Sequence, residues 1–134
     1  MGTVALWRGV EEVGDDYVVG RHVYANLYGV KEEVLSNEEL VREIAVEAAR
    51  EARMTIVDVR SWSFGGRKGG VSVIVLVNES HIAIHTWVEY RYATVDIYTC
   101  GEQSDPWRAF EVVVKRMKPL RTKVGYADRS SNTI

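Results

Sequence analysis

The chain has 134 residues, 46% of them hydrophobic and 27% charged, a balance that excludes a disordered or fibrous protein and suits a single domain spanning residues 1–134. Lys plus Arg number 17 against 19 Asp plus Glu, a net charge of -2, so the basic excess that non-specific phosphate binding requires is missing and nucleic acid is not an expected partner. The longest apolar runs, such as Val71–Val77, fall far short of the ~20 residues of a membrane helix, and Met1–Val10 lacks a signal-peptide pattern. The one cysteine, Cys100, precludes an internal disulfide and fits a reducing compartment, so a cytoplasmic protein without a membrane partner is expected.

In chain order, Met1–Val19 and Ser130–Ile134 read as looser than the middle. His22–Tyr28, rich in β-branched and aromatic residues and closed by Gly29, reads as a first strand. Ser36 and Glu39 form a capping box ahead of Leu40, Val41, Ile44, Ala45, Ala48, Ala49 and Ala52, whose spacing predicts a helix with one apolar face. Thr55–Phe64 alternates as a second strand. The run Gly65-Gly66-Arg67-Lys68-Gly69-Gly70 reads as a connector, because a phosphate-binding loop opens a helix and β-branched Val71–Val77 follows here as a third strand. His81–Trp87 and Thr94–Cys100 are two further strands joined by 88–93. Asp105-Pro106 opens a second helix, with Trp107, Phe110, Val113, Val114 and Met117 on its apolar face and Glu111 with Lys115 as a solvated pair. Lys123–Tyr126 reads as a last short strand. The expected architecture is α+β, a two-layer sandwich in which two helices cover a mostly antiparallel sheet.

Alternation puts His81, Ala83, His85 and Trp87 on one face, together with Thr94, Asp96, Tyr98 and Cys100. A symmetric closure of 88–93 pairs Trp87 with Thr94, which sets His85 opposite Asp96 and His81 opposite Cys100 and brings Cys100 close to Ser80. No metal site is expected: four residues along a strand span ~13 Å, whereas two ligands of one zinc lie within roughly 4 Å of each other. Singly, each of these residues reads as an ordinary sheet histidine or an inert cysteine. Their clustering is what points to chemistry.

The segments Glu79-Ser80-His81-Ile82-Ala83-Ile84-His85-Thr86-Trp87 and Tyr92-Ala93-Thr94-Val95-Asp96-Ile97-Tyr98-Thr99-Cys100-Gly101 resemble the processing and active-site signature of the small prokaryotic S-adenosylmethionine decarboxylases, a family with an archaeal arginine decarboxylase branch. The resemblance runs from Gly20-Arg21-His22 to the second helix. It implies a self-processing proenzyme cut between Glu79 and Ser80, giving chains 1–79 and 80–134, with Ser80 converted to a pyruvoyl group. The serine hydroxyl attacks the preceding carbonyl, the resulting ester breaks by elimination, and the dehydroalanine hydrolyses to the ketone with loss of ammonia. By similarity, Ser72 and His85 assist processing through proton transfer and oxyanion support, and Cys100 is the proton donor in decarboxylation. The pyruvoyl carbonyl forms a Schiff base with the substrate amine and acts as electron sink. On a straight strand His85 stands ~16 Å from Ser80, so it acts through a bend, or from an adjacent strand or protomer. The family's active sites near a dimer interface imply a homo-oligomer of cleaved protomers.

For a small amino-acid-type substrate, Trp87 and Glu89 occupy the positions of the family's adenosyl-binding aromatic and carboxylate. A guanidinium would instead engage Glu89, Asp96 or Glu102. Residue types alone leave the choice open. Val88 in place of the adenosyl branch's proline, Val30 in place of its cysteine, and the glycine loop that displaces its aromatic depart from that branch; Phe64 or Trp62 is a substitute for the aromatic, with at least one of the two expected in the core. Trp62-Ser63-Phe64-Gly65-Gly66 and Tyr126-Ala127-Asp128-Arg129-Ser130-Ser131 resemble the arginine branch, so L-arginine is the favoured substrate and S-adenosylmethionine the alternative. A reading from a different class is an unprocessed, non-catalytic homologue or binding subunit.

Overall fold

The computed structural model describes residues 17–65 and 69–132. Residues 1–16, the middle of the glycine connector (66–68) and residues 133–134 lie outside the described residues, and with them most of the segments read as loose. The elements are β1 (Gly20–Tyr28), α1 (Glu32–Leu35), α2 (Glu38–Glu51), β2 (Ile56–Ser63), β3 (Val71–Val77), β4 (Ser80–Trp87), β5 (Tyr92–Cys100), α3 (Pro106–Met117) and β6 (Arg121–Asp128). The six strands form one antiparallel sheet in the order β2-β3-β4-β5-β1-β6. This is the α+β sandwich that the alternation and the two long amphipathic helices predict.

Val23, Ala25 and Leu27 of β1, the odd-numbered valines of β3, Ile82 and Ile84 of β4, and Ala93, Val95 and Ile97 of β5 are buried against Val41, Ile44, Ala45 and Ala48 of α2 and Ala109, Val113 and Met117 of α3. The small alanines of α2 let that helix lie close to the strands. The helices are tied to each other by charge: Arg108 pairs with Glu51 at 2.7 Å, and Arg116 bonds Glu47. Inside the helix-covered layer, Thr86 accepts from the Val71 N–H at 2.8 Å and donates to the Leu35 carbonyl at 2.8 Å. One buried hydroxyl thereby joins β4, β3 and α1.

Four expectations are corrected. The cap of the long helix is Asn37, which accepts from the Leu40 N–H at 3.0 Å, while Ser36 ends the separate turn α1; Asn37 is itself a strong cap and stands one residue nearer the apolar run. In α3 the buried set is Pro106, Ala109, Val112, Val113 and Met117. Trp107 lies on the exposed side, where it stacks on Tyr126 at 6.0 Å, and Glu111 pairs with Arg108 rather than Lys115. The last strand is eight residues long and forms a full edge beside β1. Finally, β4 and β5 pair as Trp87↔Tyr92, His85↔Thr94, Ala83↔Asp96 and His81↔Tyr98, two residues away from the symmetric closure. The connection is the four residues 88–91, tightened by the Arg91 N–H on the Val88 carbonyl at 3.1 Å with Arg91 at φ 52°. Because a shift of two preserves side-chain parity, every residue keeps its predicted face.

Candidate active site

The face of the sheet away from the helices carries Tyr24, Ser72, His81, His85, Trp87, Asp96 and Cys100, together with exposed Trp62, Ile74 and Leu76. Two groups of candidate residues lie at opposite ends of β4.

At the β3–β4 turn, Val77 pairs with Ser80 across the two residues Asn78 and Glu79. Two-residue hairpins ordinarily use turns with positive φ at a central residue, which matches the right-handed twist of the strands. Neither Asn78 nor Glu79 has positive φ; it falls instead on Ser80, at φ 154°. A side chain occupies that region at a cost on the order of 1–3 kcal/mol, and such residues cluster at functional sites. The Glu79 carbonyl accepts the backbone N–H of Cys100 at 2.8 Å. The expected opposition of His81 and Cys100 is replaced by Ser80↔Thr99, yet Cys100, a half-buried free thiol, still stands beside the Glu79–Ser80 bond. A backbone donor is therefore aimed at the carbonyl that immediately precedes Ser80.

At the other end, Ser72 and His85 face each other across β3 and β4, and the hydroxyl lies 2.8 Å from Nδ1 of the imidazole. Phe64 and Trp87 line the same recess, of about 270 Å³. Trp87 packs on Tyr92 at 5.2 Å, and Tyr92 on Tyr28 at 5.4 Å, so the aromatic is fixed by a ladder of rings. Glu89 is exposed in the β4–β5 turn and Glu102 in the bend after β5. Within one chain, Ser72, His85, Phe64, Trp87 and Glu89 are thus gathered away from Glu79, Ser80 and Cys100, at the other end of a strand that pairs with both neighbours without a register shift.

Between the two groups, Asp96 lies 2.8 Å from His22 Nε2 and 3.3 Å from His81 Nε2. Burial pushes its carboxyl up, but hydrogen bonds from His22 and His81 and the charges of both rings outweigh that and hold it below the usual carboxylate range. Arg129 lies over the Tyr98 ring at 4.7 Å, with its guanidinium 3.5 Å from His22 Nδ1. Sequence reading gave neither His22 nor Arg129 a role. The signal for His22 was its place in the alternation of β1, on the parity of Tyr24 and Asn26. Among the described residues, no group of three or more His, Cys, Asp or Glu is arranged to hold a metal ion.

The S-adenosylmethionine decarboxylase family model matches residues 21–130. An arginine decarboxylase proenzyme of Hyperthermus butylicus is 60% identical over 124 residues, covering 92% of this chain and 87% of that one. Its counterpart from Ignicoccus hospitalis is 58% identical over 131 residues, 98% of this chain and 91% of that one. The crystal structure of the adenosylmethionine decarboxylase from Aquifex aeolicus superposes with a TM-score of 0.77 at 34% identity, over 85% of this chain and 92% of that one.

Proposed function

The chain belongs to the S-adenosylmethionine decarboxylase family, and from that premise we propose that it is a self-processing, pyruvoyl-dependent decarboxylase that converts L-arginine to agmatine and carbon dioxide. The observation that carries the reading is the Glu79–Ser80 junction: a serine with positive φ follows a carbonyl already bonded to the Cys100 N–H. Attack of the Ser80 hydroxyl on that carbonyl moves the Glu79 acyl group from nitrogen to oxygen. Elimination then releases Glu79 as a carboxylate, and hydrolysis leaves the ketone at residue 80 and ammonia. The pyruvoyl group, once formed, supplies the electron sink for loss of the carboxyl group. Cys100, next to residue 80, protonates the carbon that carboxylate leaves.

Arginine as substrate rests on relatives 56–60% identical that are arginine decarboxylase proenzymes. Asp96 is engaged by two imidazoles, which leaves Glu89, beside Trp87, and Glu102 as exposed carboxylates for a guanidinium.

The ~16 Å between His85 and Ser80 is bridged by a second protomer. Trp62, Ile74, Leu76 and Tyr24 make the open sheet face apolar and exposed, the kind of patch that a soluble protein covers. Two such faces meeting about a two-fold axis bring the Ser72–His85 end of one against the Ser80–Cys100 end of the other.

The test has two parts on one preparation. Denaturing mass spectrometry is expected to show two chains, with the Ser80 product lacking its amine, and an intact Ser80→Ala chain. Carboxyl-labelled arginine is expected to release carbon dioxide where carboxyl-labelled S-adenosylmethionine does not. A single intact wild-type chain refutes the mechanism, and release from S-adenosylmethionine alone refutes the substrate.

A further inference from the structure

We infer that the Glu79 side chain is a positioning residue for self-cleavage, acting as a clamp that fixes the direction of its own carbonyl; this deepens the function proposed above and rests on it. Glu79 Oε1 accepts the backbone N–H of Thr55 at 3.0 Å, and the Asn78 N–H donates to the Thr55 carbonyl at 2.9 Å. The two residues of the β3–β4 turn are therefore both bonded to the one residue that leads into β2. The residue before it is held to the helix layer: Met54 is buried and its N–H donates to the Ala49 carbonyl at 2.9 Å.

The arrangement places Glu79 between two fixed points. Its side chain is tied to Thr55 on one side and its carbonyl to the Cys100 N–H on the other. A hairpin tip of two residues with ordinary negative φ has no conformational preference of its own that matches the twist of its strands, so the direction of the Glu79 carbonyl depends on these outside bonds. When the Ser80 hydroxyl adds to that carbonyl, the electron pair of the C=O moves to the oxygen. The Cys100 N–H is worth most if it already points there. The clamp needs an acceptor at Oε1, and it does not need the negative charge.

That distinction gives the experiment. Chains are made by cell-free synthesis and the cut at residue 80 is followed in time by denaturing mass spectrometry. Glu79→Ala is expected to slow the cut by about five- to tenfold, as loss of one ordinary hydrogen bond allows, and Glu79→Gln to cut close to the wild-type rate. Uncut Glu79→Ala is expected to be amide-linked and so to resist neutral hydroxylamine. Thr55→Pro, which removes the donor and leaves Glu79 in place, is expected to slow the cut as well, and combining it with Glu79→Ala to add little more. Equal rates for Glu79→Ala and wild type overturn the inference alone, since the wild type is still cut. Slow cutting by Glu79→Gln overturns it too, by making the charge the working part. So does accumulation of a hydroxylamine-labile ester, which puts the block after the carbonyl has been attacked. A wild-type chain that stays whole refutes the proposed function and this inference together.

Discussion

Asp96 is the residue at which the open face concentrates charge, because His22, His81 and, through His22, Arg129 all converge on it. A carboxyl held below its ordinary range stabilises the fold above its unfolded value near 3.9, and that contribution is lost as pH falls through the lower folded value. The wild-type chain should therefore lose stability between pH 5 and pH 3 partly through this one group. In a Ser80→Ala background, which keeps the chain whole, Asp96→Asn is expected to unfold at a lower temperature at pH 6 and to show a shallower fall across that acid range. Thermal melts at four or five pH values check this, and parallel curves for the two proteins would show that the carboxylate is not coupled to folding. Asp96 also explains why clustering was a better guide than any single residue. Its partners come from β1 and β4, and an alternating pattern reveals which face a residue takes but not which strand will lie beside it.

Among the elements, α3 is the one whose start was most legible. Asp105 accepts from the N–H groups of Trp107 and Arg108 at 3.1 and 3.2 Å, and Pro106 occupies the first helical position. Both are local signals, satisfied by the helix's own unpaired donors. Replacing Asp105 with alanine in the uncut Ser80→Ala chain is expected to cost about 1 kcal/mol of unfolding free energy, read as a lower urea midpoint at unchanged slope. The face of the same helix was less legible. Trp107 looks like a core residue by hydrophobicity, but at the second position of the helix it stacks on Tyr126 of the edge strand and stays exposed. The β4–β5 register was missed for a related reason. Whether the connection holds six residues or four depends on Arg91 adopting φ 52°, a conformation that its side chain does not advertise. The two-residue period of strands made that error harmless to the choice of face, and so the reactive face survived a wrong register. The tip between β3 and β4 was legible as a junction of two strands and, by resemblance, as the expected point of cleavage; the bonds that hold it come from Thr55 and Cys100, distant in sequence, and were not.

At the scale of the whole molecule, one layer of helices covers one face of a sheet, and the proposed site is divided between the Ser72–His85 pair on the opposite face and the Glu79–Ser80 junction at the β3–β4 tip. Ser72 and His85 form a hydrogen-bonded pair at one end of β4, and the Glu79–Ser80 bond, the proposed point of cleavage, lies at the other. A straight strand keeps these ends ~16 Å apart in every copy, so chemistry that needs both must draw on two copies. This makes a prediction about mixtures that no single-chain mechanism shares. A Ser80→Ala chain has an intact Ser72–His85 pair and nothing to cut. A His85→Ala chain has an intact junction and no imidazole. Each alone is expected to stay essentially whole. Co-expressed with distinguishable tags, the two are expected to form mixed dimers in which the His85→Ala chain is cut at residue 80, read by denaturing mass spectrometry of the mixed species. If His85 serves its own chain, the mixture remains as uncut as its parts, and the divided face is then an accident of the strand's length rather than the way the site is assembled.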